Sequence, residues 1–471
     1  MIRILHRWPG LLAAALILVV TLSGAALSVF PALESATAPK AAGTMTVADL
    51  AGRVQAAHPG LEQIKRAPSG RIKAYWFEGG QPGGGVIDPA TGQAVASADH
   101  NPVRVWLTDL HRAFLLDDTG RVASAITAAA MLVLAGSGAA LVARRLGGWR
   151  RWFAPLKGGK AGRLHVELAR VAVVGLTLSA MTALWMSAET FEFIEVAPAD
   201  PGFAEGTEDA DPMPLAQMPA LADIAVSEMR SVSPPDPTWP GDPVVIETAT
   251  GAGLVDPATG EILTWTEASL MQRVSEAIYM LHTGEGAALL GLVLGLMALA
   301  APAMAVTGVL IWWAGRRGQP RLRGTVRASA AQTVILVGSE GGSTWGFAAT
   351  LGRALMQAGQ SVHLAPMSAF TPDRYTRAER ILVLAATYGD GDAPASAKGF
   401  LDTLAAMPEA PVAQLAVLGF GDRSFAAYCG FAQAVVQAAQ ARGWTQLMPL
   451  DTVDRQSPQD FARWGRDLGA A

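Results

Sequence analysis

The 471-residue sequence is short of cysteine and of charge, and each shortage excludes something. Its one cysteine, Cys429, rules out an intramolecular disulfide framework, a Cys-ligated cluster and CxxCH haem attachment. Charged residues make up only 16%, below the roughly 25% of a soluble domain. Apolar residues make up 51%, so part of the chain is expected in lipid. A net charge of -4 gives no reason to expect nucleic acid. No side chain stands out as a catalytic acid, base or nucleophile. Metal ligation falls chiefly to the seven histidines.

Four apolar runs are long enough to cross a bilayer: Leu11 to Phe30, and about Val122 to Val142, Val166 to Met186, and Ala287 to Trp313. The first exceeds the roughly 7–15 residues of a signal-peptide core. No clean A-x-A site follows it directly, so it is read as a retained span. Basic residues set the direction. Arg3 and Arg7 precede the first run. Arg144, Arg145, Arg150, Arg151, Lys157, Lys160 and Arg163 fill the loop between the second and third. Arg316, Arg317, Arg321, Arg323 and Arg327 follow the fourth. The two other loops are longer and acidic or neutral. The positive-inside rule puts both termini and the middle loop in the cytoplasm, and both long loops in the periplasm of a bacterial inner membrane. Trp312 and Trp313 suit an interfacial belt.

The two outside segments repeat a phrase. Val86-Ile87-Asp88-Pro89-Ala90-Thr91-Gly92-Gln93 matches Leu254-Val255-Asp256-Pro257-Ala258-Thr259-Gly260-Glu261. Asp-Pro-x-Thr-Gly is turn chemistry between strand-like residues. A possible helix precedes each copy, Val47 to Ala57 and Pro219 to Met229. Two small α+β modules are therefore expected. The span–module–span unit, with a Leu-His and a membrane helix after D-P-x-T-G, resembles the PepSY-associated transmembrane family over roughly residues 1–320.

Four of the seven histidines follow a leucine near a span: Leu5-His6, Leu110-His111, Leu164-His165 and Leu281-His282. His58, His100 and His363 do not. Neutral imidazole suits haem iron. Both ligands of one iron must lie on the same side of a core about 30 Å thick. The expected topology then pairs His6 with His165 on the cytoplasmic side and His111 with His282 on the outer side. That makes two b-type haems. Asp117 to Arg121 separate His111 from its run, so the outer pair is the less regular. The PepSY resemblance points the same way, because that family includes iron-uptake and ferric-siderophore reductases.

Beyond a Pro/Arg-rich linker, near Gln319 to Arg327, the composition becomes that of a soluble α/β domain. A buried-strand pattern, Thr333 to Val337, runs into Gly338-Ser339-Glu340-Gly341-Gly342-Ser343-Thr344-Trp345-Gly346, and a helix is expected from about Phe347. Small and hydroxyl residues at a strand-to-helix turn suit a phosphate. No lysine makes this a P-loop, and it is not GxGxxG. A second strand, Ile381 to Ala385, ends in Thr387-Tyr388-Gly389-Asp390-Gly391-Asp392. A third, Leu415 to Leu418, ends in Gly419-Phe420-Gly421-Asp422-Arg423-Ser424-Phe425. Parallel strands bind ligands at their carboxyl ends. Tyr388 and Phe425 are then suited to sandwich a flat ring.

GSEGGSTWGFA, ATYGDGD and GFGDRSF resemble the phosphate loop and the two ring loops of flavodoxin-like domains in diflavin reductases and the sulfite reductase flavoprotein. The resemblance covers roughly 332–470 and implies FMN. It assigns Ser339, Glu340, Gly341, Gly342, Ser343 and Thr344 to the phosphate. It assigns Thr387, Tyr388, Gly389, Asp390 and Gly391, and Gly419, Phe420, Gly421, Asp422, Phe425, Tyr428 and Cys429, to the ring. Glu340-Gly341 departs from the commoner polar pair. Diflavin enzymes continue into an FAD and NADPH module, whereas only Asp451 to Ala471 follow here. A separate NAD(P)H-flavin reductase is therefore the expected donor.

The expected fold class is multi-domain. It comprises a four-helix transmembrane bundle, two small α+β periplasmic PepSY-like modules, and a C-terminal α/β flavodoxin-like doubly wound parallel sheet. The expected spans are 1–43, 113–146, 164–188 and 276–315. The modules are 44–112 and 189–275, the basic loop is 147–163, the linker is 316–331 and the flavin domain is 332–471. The expected function is electron transfer from cytoplasmic FMN through membrane haems to a periplasmic acceptor such as a ferric chelate. The alternatives are a peptide-binding regulator with a flavin redox sensor, and FMN feeding a quinone in the bilayer.

Overall fold

The computed structural model describes residues 2–99, 101–156, 159–207, 211–239, 241–317, 322–388, 391–423 and 425–470. Of the residues singled out above, His100, Lys157, Gln319, Arg321, Gly389, Asp390, Ser424 and Ala471 lie outside these.

Among the described residues, four spans are long and apolar enough to cross a membrane: Ala14–Thr37, Asp117–Leu146, Lys160–Thr190 and Ala288–Trp313. The first follows α1 (Ile2–Leu12), which contains Pro9, and comprises α2 (Ala14–Leu27) and α3 (Val29–Thr37). Next come α4 (Val47–Ala57), four strands, and α5 (Pro102–Ala113). The second and third spans are α6 (Asp117–Leu146) and α7 (Lys160–Thr190). Small residues let these helices approach, as membrane packing requires. A Cβ on Gly295 would meet Ser28 Oγ at 2.0 Å, and one on Gly175 would meet Met297 Sδ at 2.4 Å.

The two modules build one antiparallel sheet. The first gives β1 (Leu61–Arg66), β2 (Ile72–Glu78), β3 (Gln81–Ile87) and β4 (Ala94–Ser97). The second gives α8 (Pro219–Ala222), β5 (Met229–Ser233), β6 (Val244–Thr248), β7 (Gly251–Val255) and β8 (Ile262–Glu267), then α9 (Leu270–Thr283). The order β4-β3-β2-β1-β5-β6-β7-β8 joins the modules at β1 and β5, with Ile64 opposite Val232 and Lys65 opposite Ser231. A shared core holds Leu50, Ile64, Ile72, Met218, Leu221, Met229 and Ile246. Both repeated turns close identically. The Asp88 carbonyl accepts from Gly92 N–H at 2.8 Å, and the Asp256 carbonyl from Gly260 N–H at 2.9 Å. Each aspartate side chain also accepts an amide two residues on, and each glycine has the positive φ the turn needs.

The helix expected over Pro219 to Met229 is corrected: only the single turn α8 forms. The residues after it are drawn into extended pairing with the first module. Val47 N–H donates to the Ile224 carbonyl and Val226 N–H to the Met45 carbonyl.

The fourth span comprises α10 (Ala288–Ala298) and most of α11 (Ala300–Arg317). The C-terminal part is a five-stranded parallel sheet, β9 (Thr333–Gly338), β10 (Val362–Pro366), β11 (Arg380–Ala386), β12 (Gln414–Gly421) and β13 (Asp451–Asp454), in the order β10-β9-β11-β12-β13. Helices α12 (Ser343–Gln357), α13 (Phe400–Ala406), α14 (Gly430–Ala441) and α15 (Pro458–Ala470) accompany it. Core residues alternate along the strands. Val334, Leu336 and Val383 pack with Phe400 and Phe431, while Ile335, Leu382 and Leu384 pack with Trp345 and Trp464. The strand order reverses between β9 and β11, where doubly wound sheets bind ligands.

Candidate functional site

Three loops leave the carboxyl ends of β9, β11 and β12. After β9 the chain turns at Gly342, φ 84°, directly into α12, which starts at Ser343 rather than near Phe347. Among the described residues no side chain caps α12, which leaves its N-terminus, the end of a helix that attracts an anion, open to the loop. Ser339 and Thr344 are buried, and Gly341 and Ser343 are exposed. The loop is braced from within, with Gly342 N–H donating to Ser339 Oγ at 3.0 Å. It is also braced from the chain beyond β11. Ser339 N–H donates to Ser396 Oγ at 2.6 Å, and Glu340 accepts from Ala395 N–H at 2.7 Å.

After β11, Thr387 N–H donates to the Phe420 carbonyl, and Tyr388 and Asp392 exchange two backbone bonds across the intervening turn. Thr387 Oγ1 is buried with no partner among the described residues, an orphan that a bound group would satisfy. A Cβ on Gly391, at φ 108°, would lie 3.3 Å from Ala427, so the second and third loops touch. Tyr388, Phe425 and Tyr428 are half-buried at this edge, and the Arg423 guanidinium lies 5.6 Å from the centre of the Tyr428 ring. Asp422 pairs with Arg455 at 3.0 Å. Cys429 fills the space that Gly419 and Gly421 leave. A Cβ on Gly421 would meet its Sγ at 2.9 Å. Burial pushes the Cys429 thiol up to about 11. The ring of Phe420 belongs to the core, 5.2 Å from Phe347, so this residue reaches the site only through its backbone.

The four leucine-preceded histidines form two pairs. The His6 and His165 rings have centroids 6.3 Å apart, and the His111 and His282 rings 6.1 Å apart. His111 and His282 do not open spans. They end the separate helices α5 and α9, which stop at left-handed residues, Phe114 and Gly284. Both histidines are thus held alike, and the irregularity read at His111 is not particular to it.

Each of these four Nδ1 atoms has an oxygen partner. His111 Nδ1 lies 2.9 Å from the Val20 carbonyl, and His165 Nδ1 lies 3.1 Å from the Met304 carbonyl. A carbonyl only accepts, so each of these nitrogens carries the proton. His6 Nδ1 lies 3.1 Å from Ser137 Oγ, and His282 Nδ1 lies 2.9 Å from Thr182 Oγ1. Both hydroxyls already donate to carbonyls of their own helices, Val133 at 2.6 Å and Leu178 at 2.8 Å. They therefore accept from imidazole too. In the neutral ring every Nε2 is then the lone-pair nitrogen, as metal-binding histidines are usually arranged. Burial holds His111 and His282 below the ordinary imidazole value, His282 down to about 4 with His111 adding to the effect. On α6, Ser137 meets the His6 ring and Ser124 donates to the His111 carbonyl, contact points thirteen residues (137 − 124), or about 20 Å, apart along the span.

Ser23, Ser137 and Thr182 were not singled out in the sequence, although a signal exists. Ser23, 3.1 Å from His111 Nδ1, and Thr182 each stand seventeen residues after the first histidine of their own repeat (23 − 6 and 182 − 165).

The fold and sites together define a membrane protein with a C-terminal flavodoxin domain. Residues 335–464 match the flavodoxin family. Residues 3–315, two-thirds of the chain, match the PepSY-associated TM region, and the chain belongs to that family. It is 27% identical over 139 residues to the sulfite reductase [NADPH] flavoprotein alpha-component of Bacillus subtilis, covering 29% of this chain and 23% of that one. It is 32% identical over 145 residues to the Shewanella oneidensis protein of the same name, covering 30% and 24%. The chain thus spans about a quarter of the length of these relatives. It is similar to the crystal structures of two Bacillus cereus flavodoxins, flavodoxin 1 (19% identity, TM-score 0.27, covering 29% of this chain and 97% of that one) and flavodoxin 2 (22%, 0.27, 30% and 97%).

Proposed function

We propose that this protein carries electrons across a membrane, from FMN in the flavodoxin domain to an acceptor on the far side. The observation that carries the reading is the spacing of the histidine pairs. A metal–imidazole bond is about 2.0–2.1 Å, and a ring nitrogen lies about 1 Å from the ring centre, so two rings on one iron have centroids roughly 6 Å apart. The two pairs have 6.3 and 6.1 Å. With Nδ1 committed to oxygen partners, His6 with His165 and His111 with His282 would each hold one haem b through Nε2. When bound, FMN takes electrons in pairs and releases them singly, and a bis-histidine haem relays one at a time.

The chain's own part is positioning. The N-terminal amides of α12, with Ser339, Ser343 and Thr344, would hold the FMN phosphate. Tyr388 and Phe425 would flank the ring, and Thr387 Oγ1 would donate to it. The arginine distribution supports the flavodoxin domain and the His6–His165 pair on the cytoplasmic side, with the two-module sheet outside. The donor would be a separate NAD(P)H-flavin reductase. A ferric chelate is the proposed acceptor, by analogy within the family alone.

The test uses purified protein in vesicles that enclose a ferric chelate, with NADPH and a flavin reductase added outside. Ferrous iron should form inside. None forming from protein loaded with FMN would overturn the reading. Reporter fusions at Gly92, Lys157, Gly260 and Ala471 test the sidedness, with a cytoplasmic signal expected only at Lys157 and Ala471.

A further inference from the structure

We propose that Glu34 is a positioning residue for the His111–His282 pair, coupling the turn between β1 and β2 to both helices that carry those histidines. The proposal rests on the reading of that pair as a haem site. Glu34 stands near the end of the first span with its side chain only 14% exposed, and three donors converge on it. Ser69 Oγ donates to Oε1 at 2.6 Å. Arg71 Nη1 lies 3.6 Å from Oε2, and Arg104 Nη1 lies 3.1 Å from the same oxygen. Ser69 and Arg71 belong to the β1–β2 turn, which is closed by the 2.8 Å bond from Ala67 N–H to the Arg71 carbonyl. The second terminal nitrogen of Arg104 bonds Glu285. Pro68, in the same turn, packs on Gly286, where a Cβ would lie 3.2 Å from it.

The sequence positions give this cluster its meaning. Arg104 is seven residues before His111, so both lie on one face of α5, two turns apart. Glu285 is three residues after His282, just past the left-handed Gly284 that ends α9. One carboxylate therefore touches the module's turn and the helix of His111, and through Arg104 it reaches the elbow after His282. The His111 ring has little room to adjust. Its Nδ1 is held by Val20 and Ser23, and a Cβ on Gly24 would stand 2.8 Å from its Cε1. A shift of α5 would thus change the ring spacing rather than be absorbed by the ring. Partial burial keeps the cluster from being screened as an exposed ion pair would be.

The second repeat has a simpler version of the device. Glu189, near the end of the third span, bonds Ser275, which is seven residues before His282. In both halves, a carboxylate at the end of an odd-numbered span grips the residue two turns ahead of the histidine. Of the two, Glu34 is the one that also binds the β1–β2 turn.

The test compares the full chain in detergent with Glu34→Gln, and with Arg104→Lys, which keeps the charge. Three readouts are taken: haem per chain, the ferric EPR spectrum, and amide hydrogen exchange. In Glu34→Gln, haem content should stay near wild type. The EPR signal that disappears in His111→Ala should shift, the other should not, and exchange in residues 102–113 should quicken several-fold. Arg104→Lys should retain both signals. Unchanged signals with unchanged exchange, or equal shifts of both signals, would overturn the proposal. If Glu34→Gln fails to fold, Ser69→Ala and Glu285→Gln cut the same cluster and are read in its place. If the wild-type chain binds no haem, the haem reading fails, and exchange alone still decides whether Glu34 braces α5.

Discussion

The two histidine pairs occupy corresponding places in a duplicated plan, yet they are fixed by different parts of the molecule. His165 belongs to a span itself, and His6 stands on α1, which leads through a proline into the first span. Their Nδ1 partners, Ser137 and Met304, also lie in spans. His111 and His282 sit instead on α5 and α9, amphipathic helices that carry the sheet on one side and hand over to a span on the other. Their Nδ1 atoms are fixed by spans, but their backbones are braced by Glu34, Arg104, Glu285 and Glu189. Among the described residues, the Nδ1 partners of the first pair thus lie in the membrane helices. The second is set jointly by membrane helices and modules, so changes in the modules can reach it and should leave the first pair alone.

The sharpest break in this comparison comes from the ligands themselves. His6→Ala or His165→Ala should remove one haem, and His111→Ala or His282→Ala the other, measured as haem per chain. His6→Ala with His165→Ala together should be no worse than either alone, because both act on one site. Loss of both haems from a single replacement would contradict the two-site arrangement.

The next effect separates the pairs by room. Gly24→Ala puts a Cβ 2.8 Å from His111 Cε1, and Gly138→Ala puts one 3.0 Å from His6 Cε1. Overpacking of this kind costs about 1–3 kcal/mol. Each should weaken only its own pair, Gly24→Ala the more, as read by retained haem after gel filtration. The flavodoxin domain provides a control outside the comparison. Residues 332–471 expressed alone should bind one FMN non-covalently, with heat releasing FMN and not FAD. Tyr388→Ala should weaken that binding by about 1 kcal/mol, roughly fivefold, seen by fluorescence titration. The smallest effect concerns Cys429. Burial raises its thiol to about 11, so at pH 8 little thiolate exists. Alkylation of the folded protein should be slow there, speeding up towards pH 11 and on unfolding in urea. Fast labelling at pH 8 without unfolding would show that the thiol is not enclosed as described.

Much of this was legible in the sequence because the signals are local. Spans are long apolar runs, the three loops directly follow strand patterns, and same-side logic alone matched His6 with His165 and His111 with His282. What was hidden depends on contacts between distant segments. Nothing near Ile64 or Val232 announces that β1 and β5 pair and fuse two modules into one sheet. The helical pattern after Pro219 lost to backbone bonds with Met45 and Val47, a tertiary override of local preference. The end of α5 rests on Phe114 and Leu115 at positive φ, where no glycine marks the break. No local motif marks Glu34, because its three donors come from two other elements.

The most direct measurement is cofactor stoichiometry in the detergent-purified wild-type chain, by pyridine haemochrome and released-flavin assays on one sample. The account predicts two haems b and one FMN per chain, with a low-spin bis-histidine spectrum. A folded, FMN-loaded protein without haem would contradict it, and would favour a membrane regulator with a flavin sensor.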